Sequence, residues 1–520
     1  MKSMLTKLEI GLILIFWLGG CLPGTASNEV PDPTATSRPF LTITPKDDVQ
    51  VIPKTNRPNI LFILTDDLDA ELGTANYMPH FQDLLVGRGL TMEDFYVTSP
   101  VCCPSRASIL RGQYLHNHGV LSNNAPDGGF EKFYYLENES STLGTWLQAA
   151  GYETVLFGKY LNGYPFRENR TYVPVGWTEW YSPAKGQPYV GFDYTLNENG
   201  VQVDYRDQKQ GESLYLTDVL SRKAVDFINR SAESSAPFFM YLSVFNPHQP
   251  AEPATRHAEL FPDLTAPRSP SFNEGDVSDK KLGDQFNPLL AEDQISDLDY
   301  LYRRRVQSMQ AVDEMIVQLV DVLEETGQLE NTYIIFTSDN GFHLGQHRLR
   351  AGKGTFYEED IHIPFVIRGP GIAADTTLNG YLTGNVDIAP TIAELAGVIP
   401  PAYVDGRSLV EFFDGRPPSP EEWRSAYLLE LYGRGEEEEG AEGSIPVVGR
   451  YGLRTGDYLY IEYPDGGVEL YDMKADPYQL ENIASTADPS LLADLSERLH
   501  ALLSCSGSQC TVLDQDGLKQ

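Results

Sequence analysis

Asn59-Ile60-Leu61-Phe62-Ile63-Leu64-Thr65-Asp66-Asp67 (N-I-L-F-I-L-T-D-D) is the stretch from which the fold follows. Its apolar run does not alternate with polar residues, as expected of a parallel strand buried on both faces. Two acids stop it. A second run of this kind, residues 333–337, ends in Ser338-Asp339-Asn340. Open α/β sheets place their ligands at the carboxyl ends of parallel strands. Asp66, Asp67, Asp339 and Asn340 would deliver oxygen-bearing side chains there, a set suited to a hard cation such as Ca²⁺ or Mg²⁺. Taken alone, each pair is equally read as the cap of a turn.

Outward from these runs, helical and extended segments alternate. Residues 78–86 read as a helix, 90–97 as a strand, and 105–110 as a helix opening behind Pro104. Helix 143–150 stops at Gly151 before strand 153–157, and helix 215–228 precedes strand 238–245. The clearest helix spans 295–326, with Leu298, Leu301, Val312, Met315, Ile316, Leu319 and Leu323 on one face and Gly327 as its stop. Strand 365–368 and helix 388–395 follow. This order predicts a mostly parallel sheet covered on both faces. Beyond about residue 415 the texture changes. Segments 451–463 and 468–471, separated by Gly466-Gly467, read as antiparallel strands closed by a helix near 491–503. The expected bodies are thus 56–415 and a smaller C-terminal antiparallel subdomain, 416–520. Glu436–Glu439 is a charge run, read as a solvated loop.

Composition narrows the function. Among 520 residues, 41% are hydrophobic and 22% charged, which is globular rather than disordered. The formal charge is −35, from 39 Lys and Arg against 74 Asp and Glu. Nucleic acid is therefore not an expected partner, because its binding rests on basic phosphate contacts. Lys2 and Lys7 precede an apolar run over 10–18 and then Gly19-Gly20-Cys21. That is the pattern of an export signal over 1–21, too short for a membrane span of about 20 apolar residues. L-G-G-C resembles a bacterial lipobox with Cys21 lipidated, which implies an exported cell-envelope lipoprotein. An ordinary signal peptide, releasing a secreted soluble protein, is the alternative. Residues 22–55, rich in Pro, Thr, Ser and Asp, read as a flexible tether.

Five cysteines are present. Cys21 is taken by the anchor, and Cys505 and Cys510 form a short-loop disulfide expected in an oxidising compartment. Cys102 and Cys103 are adjacent, a poor arrangement for chelation or an ordinary disulfide.

Cys102-Cys103-Pro104-Ser105-Arg106, continuing A-S-I-L-R-G, resembles the C-x-P-S-R sequence of the sulfatases. Other marks of that family follow in order: R-P-N-I-L-F-I-L-T-D-D (57–67), G-K-Y-L-N (158–162), N-P-H (246–248), T-S-D-N-G-F-H-L-G-Q-H (337–347), Lys353 with Y-E-E-D-I (357–361), and L-Y-D-M-K-A-D-P-Y-Q-L-E-N (470–482). The resemblance implies an alkaline-phosphatase-like α/β sandwich with a small C-terminal sheet. It implies that a separate maturation enzyme oxidises Cys102 to formylglycine (3-oxoalanine), whose hydrate attacks sulfur through one hydroxyl and expels sulfate through the other. Asp66, Asp67, Asp339 and Asn340, with the oxygen of residue 102, are the implied metal ligands. Ca²⁺ is the family expectation, and spacing does not separate it from Mg²⁺. Arg106 lies one helical turn beyond Cys102, where i,i+4 geometry directs it back toward the nucleophile, and the helix start favours an anion. Lys159 and Lys353 are the implied sulfate-oxygen ligands, and His248 the implied general acid for the leaving alcohol.

Within the family, H-N-H (116–118), G-K-Y-L-N, P-V-G-W-T-E-W-Y (174–181) and Y-T-L-N-E-N-G (194–200) resemble the N-acetylglucosamine-6-sulfatases and heparan 6-O-endosulfatases. The implied substrate is a 6-O-sulfated N-acetylglucosamine in a glycan. There is one departure: where many sulfatases carry a His two residues after the Lys of G-K, this chain has Leu161. His116, His118, His343 and His347 are expected near the pocket in its place, the last two against the sugar. The competing readings are an aryl or other sulfate-ester hydrolase, a phosphoester or phosphonate hydrolase of the same superfamily, and an inactive lipoprotein that binds sulfated glycans.

Overall fold

The 59–66 run forms the strand Asn59–Asp66, every residue of it buried. Ile60, Phe62 and Leu64 enter one apolar core and Leu61 and Ile63 another, so the lack of alternation reflects cover on both faces. The computed structural model describes residues 40–46, 48–53, 56–206, 214–281, 288–413, 415–433 and 449–515. Cys21, the expected tether through residue 39 and the Glu436–Glu439 run lie outside the described residues. The end of the tether expected at residue 55 is corrected: Ile43 and Val49 pack on the main core, and Gln50–Val51 pairs with Val398–Ile399.

A ten-stranded sheet runs in the order Thr376–Leu378, Leu90–Met92, Phe365–Arg368, Thr332–Ser338, Asn59–Asp66, Phe238–Pro247, Glu153–Gly158, Glu179–Gly186, Tyr194–Glu198, Val201–Asp204. From Thr332–Ser338 to Glu179–Gly186 consecutive strands are parallel; antiparallel pairs flank this centre on both sides. The sheet is therefore mixed, with the expected parallel middle. The helices Leu216–Ser231 and Glu292–Glu325 cover one face through residues such as Leu220, Phe227, Met315 and Leu319. Cys102–Arg111, Leu143–Ala149 and Ile388–Leu395 contribute to the core on the other.

Two expected elements differ. The strand expected over 90–97 is split into Leu90–Met92 and Phe95–Tyr96, because Glu93-Asp94 turn the chain and Asp94 accepts from the Thr383 and Gly380 loop rather than continuing a ladder. The helix expected over 78–86 is the short turn Pro79–Phe81 followed by a wider, π-type turn, Gln82–Val86.

The C-terminal part holds four antiparallel strands, Ala426–Leu431, Arg450–Thr455, Tyr458–Glu462 and Val468–Asp472, and the helix Pro489–Leu502. Leu428, Leu453, Leu459 and Leu470 share the core that contains Phe62 and Leu64, so this sheet extends the main core rather than owning a separate one. Cys505 and Cys510 are disulfide-bonded, with Cα atoms 5.0 Å apart. Among the described residues no helix is long and apolar enough to cross a membrane.

Strand register sets up the site. Ser338 is level with Thr65, Pro247 with Asp66, and Ser243 with Gly158. Asp339-Asn340, Asp66-Asp67, His248 and Lys159 therefore leave four neighbouring strands at one edge of the sheet.

Candidate active site

Asp67 adopts a left-handed backbone (φ 68°), which turns its N–H onto Asp339 Oδ1 at 3.1 Å. The next N–H, of Leu68, donates to Ser338 Oγ at 2.8 Å, so the two acidic strand ends are stitched together. Asp67 Oδ1 accepts from Asn340 Nδ2 at 2.7 Å and from Lys353 Nζ at 2.6 Å. Asp67 Oδ2 and Asn340 Oδ1 are buried acceptors with no donor among the described residues.

Cys102 opens the helix Cys102–Arg111, which is buried along its whole length. Its Sγ lies 3.5 Å from Asp66 Oδ1, 3.8 Å from Asp67 Oδ1 and 2.7 Å from Lys353 Nζ. One ligand atom each from Asp66, Asp67, Cys102 and His248 falls within 4.8 Å of all the others. The helix start is fixed by neighbours rather than by its own cap. Asn123 Oδ1 accepts from the Cys103 N–H at 2.8 Å, Ser105 Oγ donates to the Asp339 carbonyl, and Asn385 Nδ2 donates to Ser105 Oγ at 2.8 Å.

Arg106 is completely buried, and its Nε donates to Asp339 Oδ2 at 2.7 Å while Nη1 donates to Ser243 Oγ at 2.7 Å. The guanidinium thus braces the Asp339 carboxylate, with Nη2 3.8 Å from Asp66 Oδ1. Lys159 Nζ spans both oxygens of Asp66, at 2.9 and 2.7 Å. His248 Nδ1 lies 2.7 Å from the Gln249 carbonyl, which can only accept, so this nitrogen carries the proton. Nε2 then faces Asp67 Oδ2 at 3.6 Å.

Burial alone would raise the carboxyls of Asp67 and Asp339. Lys353 and His248 beside Asp67, and Arg106 and Lys159 beside Asp339, instead hold both below the usual carboxylate value. Burial opposes the charge on Lys159, but Asp66 and the other anions keep its pKa well above the ordinary lysine value. Both thiols move up: Cys102 well above its usual value through burial and Asp339, and Cys103 to about 12 through burial. Three carboxylates here face three cationic side chains.

Of the four histidines expected near the pocket, His116, His118 and His347 are committed elsewhere. His116 contacts Glu430 at 3.0 Å and the Cys505 carbonyl at 3.0 Å, and His118 contacts Ser108 Oγ at 3.1 Å and the Val120 N–H at 3.1 Å. Burial depresses the His118 pKa well below the imidazole value. His347 is fully buried, paired with Glu274 at 2.7 Å and stacked on Tyr357 at 4.0 Å, which leaves it no surface for a sugar. Its left-handed backbone (φ 52°) turns it inward, something loop spacing does not reveal. His343 binds Asp360 through Nδ1 at 2.9 Å, and its backbone pairs with Gly352, beside Lys353. Leu161 is buried in the main core, so the position of the missing histidine is filled by packing. Sequence reasoning missed Asn123, Ser243, Asn385 and Tyr189, the last with its ring 4.5 Å from that of His248.

Residues 58–398 match the sulfatase family profile, and residues 345–504 match the N-sulphoglucosamine sulphohydrolase C-terminal profile. The chain belongs to the sulfatase family. This sulfatase is 36% identical over 486 residues to the N-acetylglucosamine-6-sulfatase of Homo sapiens, covering 88% of this chain and 86% of that protein. It is 34% identical over 502 residues to an arylsulfatase of Volvox carteri, covering 88% of this chain and 76% of that one. Among solved structures it resembles a protein in complex with its substrate D-glucosamine-2-N,6-O-disulfate, with TM-score 0.67, 26% identity, and 86% and 97% of the two chains covered. A phosphonate monoester hydrolase from Silicibacter pomeroyi, at 23% identity and TM-score 0.64, shares the fold over 86% of this sulfatase and 94% of that chain. The sheet, its acidic strand ends and the separate four-stranded sheet are accordingly those of an alkaline-phosphatase-like sulfatase, a sulfuric ester hydrolase.

Proposed function

We propose that this sulfatase removes the 6-O-sulfate of N-acetylglucosamine in a glycan, using formylglycine made from Cys102 by a separate maturation enzyme. The observation that carries the reading is the position of Cys102 at the start of a fully buried helix, within ligand distance of Asp66, Asp67 and His248. The hydrated aldehyde supplies one hydroxyl to attack sulfur and a second whose deprotonation expels sulfate, which a thiol does not offer.

Asp66, Asp67, Asp339 and Asn340 fit a divalent cation, because they are oxygen donors and because Asp67 Oδ2 and Asn340 Oδ1 are buried without donors. Ca²⁺ is the ion we propose, with Mg²⁺ as the alternative that the oxygen set also suits. Bound there, it would supply Lewis-acid polarisation of a sulfate oxygen and would lower the pKa of the attacking hydroxyl. Charge supports the arrangement. Three carboxylates already balance Arg106, Lys159 and Lys353, so a divalent ion leaves an excess of two positive charges for an anionic ester and an ionised nucleophile.

In this reading Lys159 and Lys353, which border Asp66, Asp67 and Cys102, hold sulfate oxygens, and Arg106 fixes Asp339 and Ser243 behind them. His248, with Nδ1 protonated on the Gln249 carbonyl, keeps Nε2 toward the cluster, where its imidazolium form gives a proton to the leaving alcohol. His343 is retained as a candidate sugar contact. The substrate reading is supported by the likeness to the human N-acetylglucosamine-6-sulfatase along most of both chains and to the protein solved with a 6-O-sulfated glucosamine. For the N-terminus we propose export with lipidation at Cys21 and a tether that ends before residue 43, ahead of a catalytic body running to about residue 415 and a C-terminal subdomain over 416–520.

The test is desulfation of N-acetylglucosamine 6-sulfate compared with 4-nitrophenyl sulfate by the matured, metal-loaded enzyme. The reading expects a higher kcat/KM on the sugar ester; turnover confined to aryl sulfates would remove the substrate assignment.

A further inference from the structure

We propose that Tyr189 is a positioning residue for the leaving-group side of the site, its ring setting the tilt of the His248 imidazole beside the Lys159 ammonium. This rests on the roles proposed above for those two residues. Tyr189 sits on a single 3-10 turn, Pro188–Val190, in the connection between the antiparallel strands Glu179–Gly186 and Tyr194–Glu198. Lys159 Nζ lies 5.2 Å from its ring centroid. The His248 ring packs on it at 4.5 Å and 47°, and Phe245 meets it edge-on at 5.0 Å and 88°. A desolvated cation over an aromatic face is attracted to it. The Lys159 ammonium, bound by both oxygens of Asp66, thus also faces this ring. His248 is held along one ring edge by the Gln249 carbonyl, a contact that leaves its tilt open, and Tyr189 supplies the wall that sets it.

The connection carrying Tyr189 is itself locked to the segment carrying His248. Gly191 has φ +78°, and a Cβ there would come within 2.5 Å of the Tyr215 ring, so the backbone lies directly on that ring. The Leu216 N–H donates to the Gly191 carbonyl at 2.8 Å. The Tyr215 hydroxyl donates to the Glu252 carbonyl at 2.8 Å and accepts from Asn246 Nδ2 at 3.0 Å. Asn246 stands two residues before His248. One tyrosine thus ties both segments together, and the separation of Tyr189 from His248 is set by packed structure. Tyr189 is only half-buried, and with His248 it lines a small pocket open to solvent.

The test compares Tyr189→Leu, Tyr189→Phe and His248→Ala in the matured, metal-loaded enzyme on two esters. N-acetylglucosamine 6-sulfate has a poor leaving alkoxide that needs a proton; 4-nitrophenyl sulfate has a good one that needs little. A purely structural loss would slow both alike. Tyr189→Leu is expected to lower kcat on the sugar ester by roughly tenfold, with a much smaller loss on the aryl ester and little change in either KM. Tyr189→Phe should recover most of that loss, because the ring face is the working feature. His248→Ala should show the same contrast more strongly. If His248→Ala shows the contrast while Tyr189→Leu keeps its kcat or slows both esters equally, the Tyr189 proposal is overturned. Equal slowing of both esters by His248→Ala overturns the general-acid role and the Tyr189 proposal with it.

Discussion

Lys159 and Tyr160 are neighbours in the chain, yet they reach into two buried acids of opposite character. Lys159 grips both oxygens of Asp66 in the polar cluster at the strand ends. Tyr160 donates its hydroxyl to Glu139 at 3.2 Å, inside a cluster of Phe130, Tyr164, Tyr172 and Trp180 rings. Burial works against ionisation in both places. Beside Asp67 and Asp339 the cationic side chains win and the pKa falls; Glu139 has, among the described residues, the hydroxyls of Tyr160 and Tyr172 as its side-chain partners, and burial lifts it to about 7. What keeps a buried carboxyl ionised here is the charge of its partner, because a neutral hydrogen bond offsets less of the desolvation cost.

The contrast predicts unequal costs for adjacent substitutions. Cys102→Ala should give the largest effect on activity, a loss of turnover of about a thousandfold or more, with circular dichroism unchanged. Lys159→Ala leaves Asp66 with Arg106 as its one ion-pair partner among the described residues, and should lower the stability of the metal-free protein by about 3–5 kcal/mol in denaturant unfolding besides slowing turnover of the loaded enzyme. Removing the metal with a chelator should lower both kcat and the Tm, and restoring Ca²⁺ should recover them. Tyr160→Phe, one residue along from Lys159, should cost only about 1 kcal/mol and leave kcat nearly unchanged. If the two neighbours cost the same, the distinction between the charged and the aromatic cluster is wrong.

Glu139→Gln is the finest test. The carboxyl titrates near 4.5 when unfolded and near 7 when folded, so the folded state binds its proton more tightly. Stability from that proton is complete below about 4.5 and is lost as pH rises through 7. Glu139→Gln should therefore unfold at higher denaturant than the parent at pH 8, by on the order of 1–3 kcal/mol, and the gap should close by pH 4. A gap independent of pH would show that Glu139 is not buried as a neutral acid.

How much of this was legible beforehand depended on whether a residue followed from strand periodicity or from loop geometry. The 59–67 stretch predicted a doubly buried parallel strand ending in acids, and register then brought Asp339, His248 and Lys159 to the same edge. The motif around Cys102 pointed to the proposed nucleophile, and helical spacing pointed Arg106 back toward it. That it is spent on Asp339 and Ser243 depends on two other strands and was not readable from helical spacing. His343 and His347 are four residues apart in one motif, but one is directed to Asp360 near Lys353 and the other is turned into the core by a left-handed residue. Tyr189 lay in a connection with no periodicity at all, and only the packing of Gly191 on Tyr215 places it.

The central claim is that residue 102 acts as an aldehyde hydrate rather than as a thiol. Its most direct test is the mass of the tryptic peptide 89–106 from fully active enzyme, after alkylation of free thiols. The account predicts that residue 102 has exchanged CH₂–SH for CHO while Cys103 carries the alkyl group. Fully active enzyme whose peptide is alkylated at both Cys102 and Cys103 would contradict it.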